Sequence, residues 1–298
     1  MELKTKQLWA DISLIVVTAF WGTTFVIIKN VLADIEPFSF LSFRFLLSTF
    51  FLLPLLLQKE GFSPKGVFFG SIAGFFLWLG YILQTIGLKY TSAANSGFIT
   101  GLAVVMVPVL SSILNKKPVT PGVILGTGLS FLGLFIMSFD FKAGFNTGDL
   151  LTLAGALFFS MQIVSVERFS PFFSATSLTL GQIATVGVLS LPAALWLEEP
   201  FRPYPNEVYY AIVFTAIFAT VLAFLVQSKA QQFTSASHVA LIFTLEPVFA
   251  LLFAVLFGGE SLVPKQGFGA FFILAGMLTA EFLDQYWPNA KDEKKANL

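Results

Sequence analysis

The chain runs to 298 residues, 56% hydrophobic and 11% charged, with 17 Lys plus Arg against 17 Asp plus Glu, one histidine (His238) and no cysteine. Its mean hydropathy is +0.83, whereas a water-soluble protein carries about 25% charged residues to cover its exterior; a soluble enzyme and a secreted scaffold are excluded. Zero net charge leaves no basic field for nucleic acid, and one histidine without cysteine or clustered carboxylates builds no metal centre, so no cofactor and no metal are expected.

A helix needs roughly 20 apolar residues to cross about 30 Å of hydrocarbon. Ten stretches qualify: 8–32, 37–57, 64–88, 92–114, 119–139, 148–167, 175–197, 207–230, 235–257 and 263–284. They predict an all-α polytopic membrane protein. The first is too long for a signal-peptide core and no small-residue cleavage site follows it. Charged and turn residues fill the connections, such as Glu36-Pro37, Lys59-Glu60-Gly61, Lys116-Lys117-Pro118 and Glu198-Glu199-Pro200. The end after Trp287, with Lys291, Lys294 and Lys295, reads as a solvated tail.

Polar residues inside these stretches are the candidates for function. In the first, Thr18, Trp21, Phe25 and Ile28 form a stripe, and Gly22 lets a neighbouring backbone come close. Arg44 lies eight residues into the second, where it either meets a carboxylate or bonds backbone carbonyls at a helix break. Trp78, Tyr81, Gln84 and Thr85 share one face of the third. Asn95 follows a Ser cap into the fourth, and Gln162 sits at interior level in the sixth. Phe224, Gln227, Ser228 and Gln231 make a face of the eighth, while His238 and Glu246 lie eight residues apart in the ninth. Amides do not face lipid, where unbonded polar atoms cost several kcal/mol; they face a cavity or glue helices together. Glu246 is either a proton-coupling group or a cap for amides freed by Pro247. Gly70-xxx-Gly74 and Gly122-xxx-Gly126 allow close helix packing, within the chain or in a homodimer.

Lys4, Lys6, Lys59, Lys65, Lys116, Lys117, Arg168, Lys229, Lys291, Lys294 and Lys295 fall on the side holding both termini, against Lys29, Lys89, Lys142, Arg202 and Lys265 opposite. This bias predicts cytoplasmic termini.

The chain also repeats itself. Tyr81-Ile-Leu-Gln84 recurs as Phe224-Leu-Val-Gln227, Thr91-Ser-Ala93 as Thr234-Ser-Ala236, and Pro121, Gly126 and Gly133 as Pro264, Gly269 and Gly276, all 143 residues apart. Phe20 and Lys29 match Phe159 and Arg168 at 139. Residues 1–145 and 146–286 are therefore two five-helix copies, followed by a tail over 287–298. Because five is odd, the copies are inverted in the membrane, and inverted repeats place a shared binding site near the bilayer midplane. Pro108 and Pro247 fall four residues apart in repeat register, predicting bends about one turn apart.

The sequence resembles the drug/metabolite transporter superfamily, specifically EamA-type permeases of two five-helix repeats, over residues 8–284. Trp21-Gly22, Pro37-Phe38 with Arg44, Tyr90-Thr-Ser-Ala-Ala-Asn95, Thr234-Ser-Ala-Ser-His238, Leu245-Glu246-Pro247 and Gly259-Glu260 carry the resemblance. It departs at Ser160-Met161, where the first copy has Trp21-Gly22, at Gln182 near the counterpart of Arg44, and at Lys117 opposite Glu260. The resemblance implies a multi-pass permease of a prokaryotic plasma (inner) membrane. Such a permease exports small organic metabolites such as amino acids by alternating access, without ATP. The substrate-binding residues expected are Trp21, Arg44, Trp78, Tyr81, Gln84, Asn95, Gln162, Gln227 and His238, with Glu246 for proton coupling. The partners expected are the small-molecule substrate and the lipid bilayer. A channel-like facilitator would need a continuous polar lining, and an intramembrane enzyme a nucleophile–base or metal constellation that the sequence lacks.

Overall fold

The computed structural model describes residues 2–56, 62–115, 118–138, 146–257 and 263–286. The residues Lys59, Glu60, Gly61, Lys116, Lys117, Lys142, Gly259, Glu260 and those from Trp287 onward, singled out above, lie outside them. The described residues make ten helical passes. Single helices form seven of them: α1 (Glu2–Val31), α2 (Pro37–Leu56), α3 (Pro64–Tyr90), α6 (Pro121–Ser138), α7 (Thr147–Phe169), α8 (Ala175–Leu197) and α13 (Pro264–Tyr286). The fourth pass is broken into α4 (Ala93–Gly101) and α5 (Ala103–Asn115). The eighth joins α9 (Asn206–Ala216) to α10 (Ala223–Ala230) through a π-helical segment, Ile217–Leu222, and the ninth is broken into α11 (Ala236–Phe243) and α12 (Glu246–Phe257). Eight helices are long and apolar enough to cross a membrane, and Pro121–Met137 is a shorter apolar one.

Caps set the helix starts. Ser63, Ser92, Ser174 and Ser235 accept backbone N–H bonds at the starts of α3, α4, α8 and α11. Asn146 and Asp149 form a reciprocal capping box at α7. Glu198, at the end of α8, caps the other repeat: its carboxylate accepts from Phe38 N (3.0 Å), Ser39 N (2.7 Å) and Ser39 Oγ (2.6 Å) at the start of α2.

The two copies are related by a pseudo-dyad in the membrane plane, most directly at the α6–α13 pair. A Cβ on Gly126 would meet Gly276 O at 2.6 Å, and one on Gly276 would meet Gly126 O at 2.6 Å; Gly133 and Gly269 oppose each other at the same distance. Gly126 and Gly133 are the repeat mates of Gly269 and Gly276, so the contact is self-complementary and the helices antiparallel. Other pairings exchange in the same way: α3 packs on α7 and α8, and the eighth pass packs on α1 and α2.

The exchange is not chemically even. Along α3, Gly70 and Gly74 bring its backbone against Leu178 and Gln182 of α8, and Gly87 against Gly148 of α7. The eighth pass has alanines, Ala223 and Ala230, at the mates of Gly80 and Gly87, and Trp21 of α1 and Arg44 and Ser48 of α2 reach its backbone through side chains. The glycine stripes of α3 and α6 thus pack inside the chain.

The helix breaks fall in register, at Leu102 and at Thr244–Leu245. The one-turn displacement predicted from Pro108 and Pro247 does not occur. Tightened i→i+3 turns end α4 and α11 before either proline acts, with Leu102 N–H donating to Ile99 O and Leu245 N–H to Ile242 O. Pro108 lies within α5, whereas Pro247 is the second residue of α12.

Candidate functional site

A cavity of about 90 Å3 lies between the repeats. At roughly 10–15 Å3 per water it holds about six to nine waters, or a solute of comparable size. Repeat mates face each other across it. Gln84 and Gln227, Tyr81 and Phe224, Thr100 and Phe243, and Ala103 and Glu246 all line it, so the pseudo-dyad runs through the space. Both helix breaks open onto it, through Thr100, Gly101 and Ala103 on one side and Phe243 and Glu246 on the other.

Its walls are aromatic. Trp21 packs edge-on against Phe243 at 4.8 Å and beside Phe224 at 5.8 Å, and Tyr81 packs edge-on against Phe159 at 5.1 Å. Gly22 lets α1 press against the start of α12: a Cβ there would meet Glu246 O at 2.7 Å and Ala250 N at 3.0 Å.

The amides belong to one buried network. Gln162 Nε2 donates to Gln182 Oε1 (2.6 Å) and Gln227 Oε1 (3.5 Å). Gln227 Nε2 donates to Gln231 Oε1 (3.2 Å) and Gln162 Oε1 (3.3 Å), and Gln231 Nε2 to Ile163 O (2.9 Å). Gln182 reaches Ser228 Oγ at 3.2 Å. This satisfied ladder joins α7, α8 and α10 between the cavity and the end carrying the termini. On the other repeat, Gln84 Nε2 donates to Thr100 Oγ1 at 2.8 Å. Glu246 has no hydrogen bond or ion pair among the described residues, although it lines the cavity.

Arg44 lies outside the lining and is 1% exposed. Its Nε donates to Thr220 Oγ1 (2.8 Å), and one terminal nitrogen to Ala219 O (3.1 Å) and Tyr81 Oη (3.5 Å). The guanidinium also stands 5.0 Å from the Tyr81 ring centre and 5.2 Å from that of Phe45. The π segment explains this arrangement. Its wider turn releases carbonyls from the i→i−4 ladder; Ala219 O takes Arg44 and the Trp21 indole N–H (2.9 Å), and Ala216 O takes Ser48 Oγ (3.1 Å). Arg44 therefore braces Tyr81 against the π segment.

Trp21, Tyr81, Gln84, Gln162, Gln227 and Glu246 are brought together at the cavity, whereas Arg44, Trp78, Asn95 and His238 are not. Trp78 packs beside Phe75 at 6.1 Å. The backbone N–H of Asn95 is bonded by the Ser92 cap, and His238 Nε2 lies 3.3 Å from Asp11 Oδ1. Sequence reasoning missed Phe159, Thr100, Ala103 and Phe243. The 143-residue spacing applied to Glu246 and Thr100 points to Ala103 and Phe243.

Side-chain bonds tie helix ends together on both sides of the bundle. Opposite the termini, Lys29 Nζ donates to Leu88 O and to Thr91 O (2.8 Å), and Thr91 Oγ1 to Asp149 Oδ1 (2.5 Å). At the terminal end, Ser170 Oγ donates to Gln231 O (2.8 Å) and Gln232 Nε2 to Ser170 O (3.2 Å).

The EamA-like transporter family profile matches the chain twice, over residues 8–139 and 146–280. An uncharacterized transporter of Archaeoglobus fulgidus is 38% identical over 273 residues, covering 92% of this chain and 86% of that protein. The uncharacterized transporter YyaM of Bacillus subtilis is 27% identical over 292 residues, covering 92% and 94%. A solved crystal structure superposes with a TM-score of 0.78 at 18% identity over 94% of this chain and 99% of its own, a likeness of fold. Two profile matches, one for each inverted five-helix copy, make this chain a member of the EamA-like transporter family and a multi-pass membrane transporter.

Proposed function

We propose that the protein is a proton-coupled secondary transporter exporting small organic metabolites across the plasma membrane by alternating access, with both termini cytoplasmic. The observation that carries this reading is a cavity on the pseudo-dyad of two inverted repeats. Two halves that can each adopt the other's conformation have inward-open and outward-open states of similar energy. Trp21, Tyr81, Gln84, Gln162 and Gln227 contact substrate in this reading, and Arg44 holds Tyr81 and the π segment in place. Glu246, unbonded at the cavity wall, takes up the proton. Lys65 and Lys229 near the terminal side agree with cytoplasmic termini. The glycine-packed seam of α3 with α7 and α8 suits a fixed frame, and the eighth pass, with its π segment, suits the part that moves.

Flux in proteoliposomes, with a panel of labelled metabolites and with or without a pH gradient, tests the reading. A substrate should accumulate against its gradient when the pH gradient is imposed, and Glu246→Gln should lose that dependence. Normal transport by Glu246→Gln with unchanged pH dependence refutes the proton role, and conduction without saturation refutes alternating access.

A further inference from the structure

We infer that the central cavity is built for an ammonium group: its ligand is a compact organic amine, cationic and without a carboxylate, and Glu246 is its counter-ion. The inference rests on the transporter reading above and narrows its substrate class. It also departs from the amino acids that the family resemblance suggests.

Among the described residues, the lining carries one carboxylate, Glu246, and no cation. Among the described lining residues, neither Lys, Arg nor His faces the space. Arg44, the nearest candidate partner for a substrate carboxylate, is committed to Thr220, Ala219 and Tyr81 behind the wall. Donors of the lining are mostly spent as well. Both N–H groups of the Gln162 amide and both of Gln227 go to other amides, the Trp21 indole goes to Ala219 O, and the Thr24 hydroxyl goes to Trp21 O. The Tyr81 and Thr100 hydroxyls and one N–H of Gln84 remain, and all are neutral.

Acceptors, by contrast, are open. Glu246 offers both carboxylate oxygens. Because Pro247 has no N–H, the helix cannot claim the Phe243 carbonyl from that position. Trp21, Tyr81, Phe159, Phe224 and Phe243 line the same space, and aromatic ring faces attract a cation. A ligand carboxylate would share a cavity of about 90 Å3 with Glu246 and meet no positive charge.

Equilibrium binding to the purified full-length protein in detergent tests this with four matched probes: phenethylamine, 2-phenylethanol, phenylalanine and 3-phenylpropionate. Phenethylamine should bind saturably. Phenylethanol and phenylalanine should each bind at least about tenfold more weakly, a difference expected for losing a charge-assisted contact or gaining an unpaired charge. Phenylpropionate should not compete. Glu246→Gln should reduce phenethylamine to the level of phenylethanol, whereas Glu246→Asp should keep a preference for the amine. The amine–alcohol comparison uses the unaltered protein, so it stands even if Glu246→Gln does not fold. The inference is overturned if phenethylamine fails to bind, if phenylalanine or phenylpropionate binds as tightly, or if folded Glu246→Gln binds the amine as the parent does. Binding needs no transport. Amine binding without flux would sink the transporter reading alone, and proton-driven flux of a carboxylate-bearing solute would sink this inference alone.

Discussion

The close seam between α3 and α8 should not tolerate a methyl group at Gly74. A Cβ there would lie 2.7 Å from Gln182 O, 2.8 Å from Gln182 Cα and 2.9 Å from Thr185 Cβ. None of these atoms can rotate aside, so the helices must part by about 0.5–0.7 Å to regain ordinary carbon contact near 3.4 Å. A gap of that size forfeits about a quarter to a half of the ~0.1–0.2 kcal/mol in each atom pair. Spread over a few tens of pairs along the seam, the loss comes to about 1–3 kcal/mol, the usual cost of overpacking. Gly74→Ala should therefore lower the unfolding midpoint by several degrees in a thermal melt of the detergent-solubilised protein. Gly128→Ala is the matched control: nothing lies within 4 Å of a Cβ at that position on α6, so its midpoint should hold or rise slightly. If Gly74→Ala melts with the parent, or Gly128→Ala is equally damaging, close backbone contact does not hold this seam together.

Other substitutions probe other parts of the frame. Arg44→Met should cost about 1–3 kcal/mol in the same melt, because Thr220 and Tyr81 lose a buried charged donor; Arg44→Lys should restore only part of it, since an ammonium cannot span the same fork of acceptors. Lys29→Met removes the cation that closes the end of α3 and should speed hydrogen exchange around Thr91, with a loss of about 0.5–1 kcal/mol. Asp149→Ala breaks both the α7 capping box and the Thr91 bond, and should lower stability by about 1–2 kcal/mol in denaturant titration. In the double variant Ala103→Glu/Glu246→Ala, the carboxylate moves to the pseudo-symmetric wall. Phenethylamine binding should recover to within about tenfold of the parent, while Glu246→Ala alone stays weaker.

How much of this was legible beforehand depended on the range of the interaction involved. Span positions follow from hydropathy alone, and the inverted architecture follows from the 143-residue spacing with an odd helix number. Serine caps at Ser92 and Ser235 are local, and the structure contains both. Gln84 and Gln227 could be kept out of lipid, facing either a cavity or a neighbouring helix, and the structure has both at the cavity. Nothing in Ile217–Leu222 marks a π segment, since the extra residue in the turn is stabilised from outside by Ser48, Arg44 and Trp21. The destination of Arg44 was hidden with it. The prolines misled for a related reason: missing N–H groups mark where a helix can break, but tight turns at Leu102 and Leu245 decide where it does. His238 and Glu246 consequently do not share one continuous helix face.

The lining explains why the two copies can match in backbone and differ in chemistry. Alternating access needs a dyad in the positions of the helices, because the two open states exchange the roles of the halves. Ligand recognition needs the opposite, since a ligand with one charged end is not itself two-fold. At Gln84 and Gln227 both demands are met by the same residue, an amide that donates on one side of the dyad and on the other. At Ala103 and Glu246 they separate: the break geometry is shared, and only the ninth pass carries charge. Arg44 and Gln182 separate in the same direction. The first anchors the π segment of the eighth pass, and the second ties the amide ladder to the glycine-packed seam. Differences thus include the side chains that line the cavity or brace it, while Gly126, Gly133, Gly269 and Gly276 at the α6–α13 contact keep the symmetry.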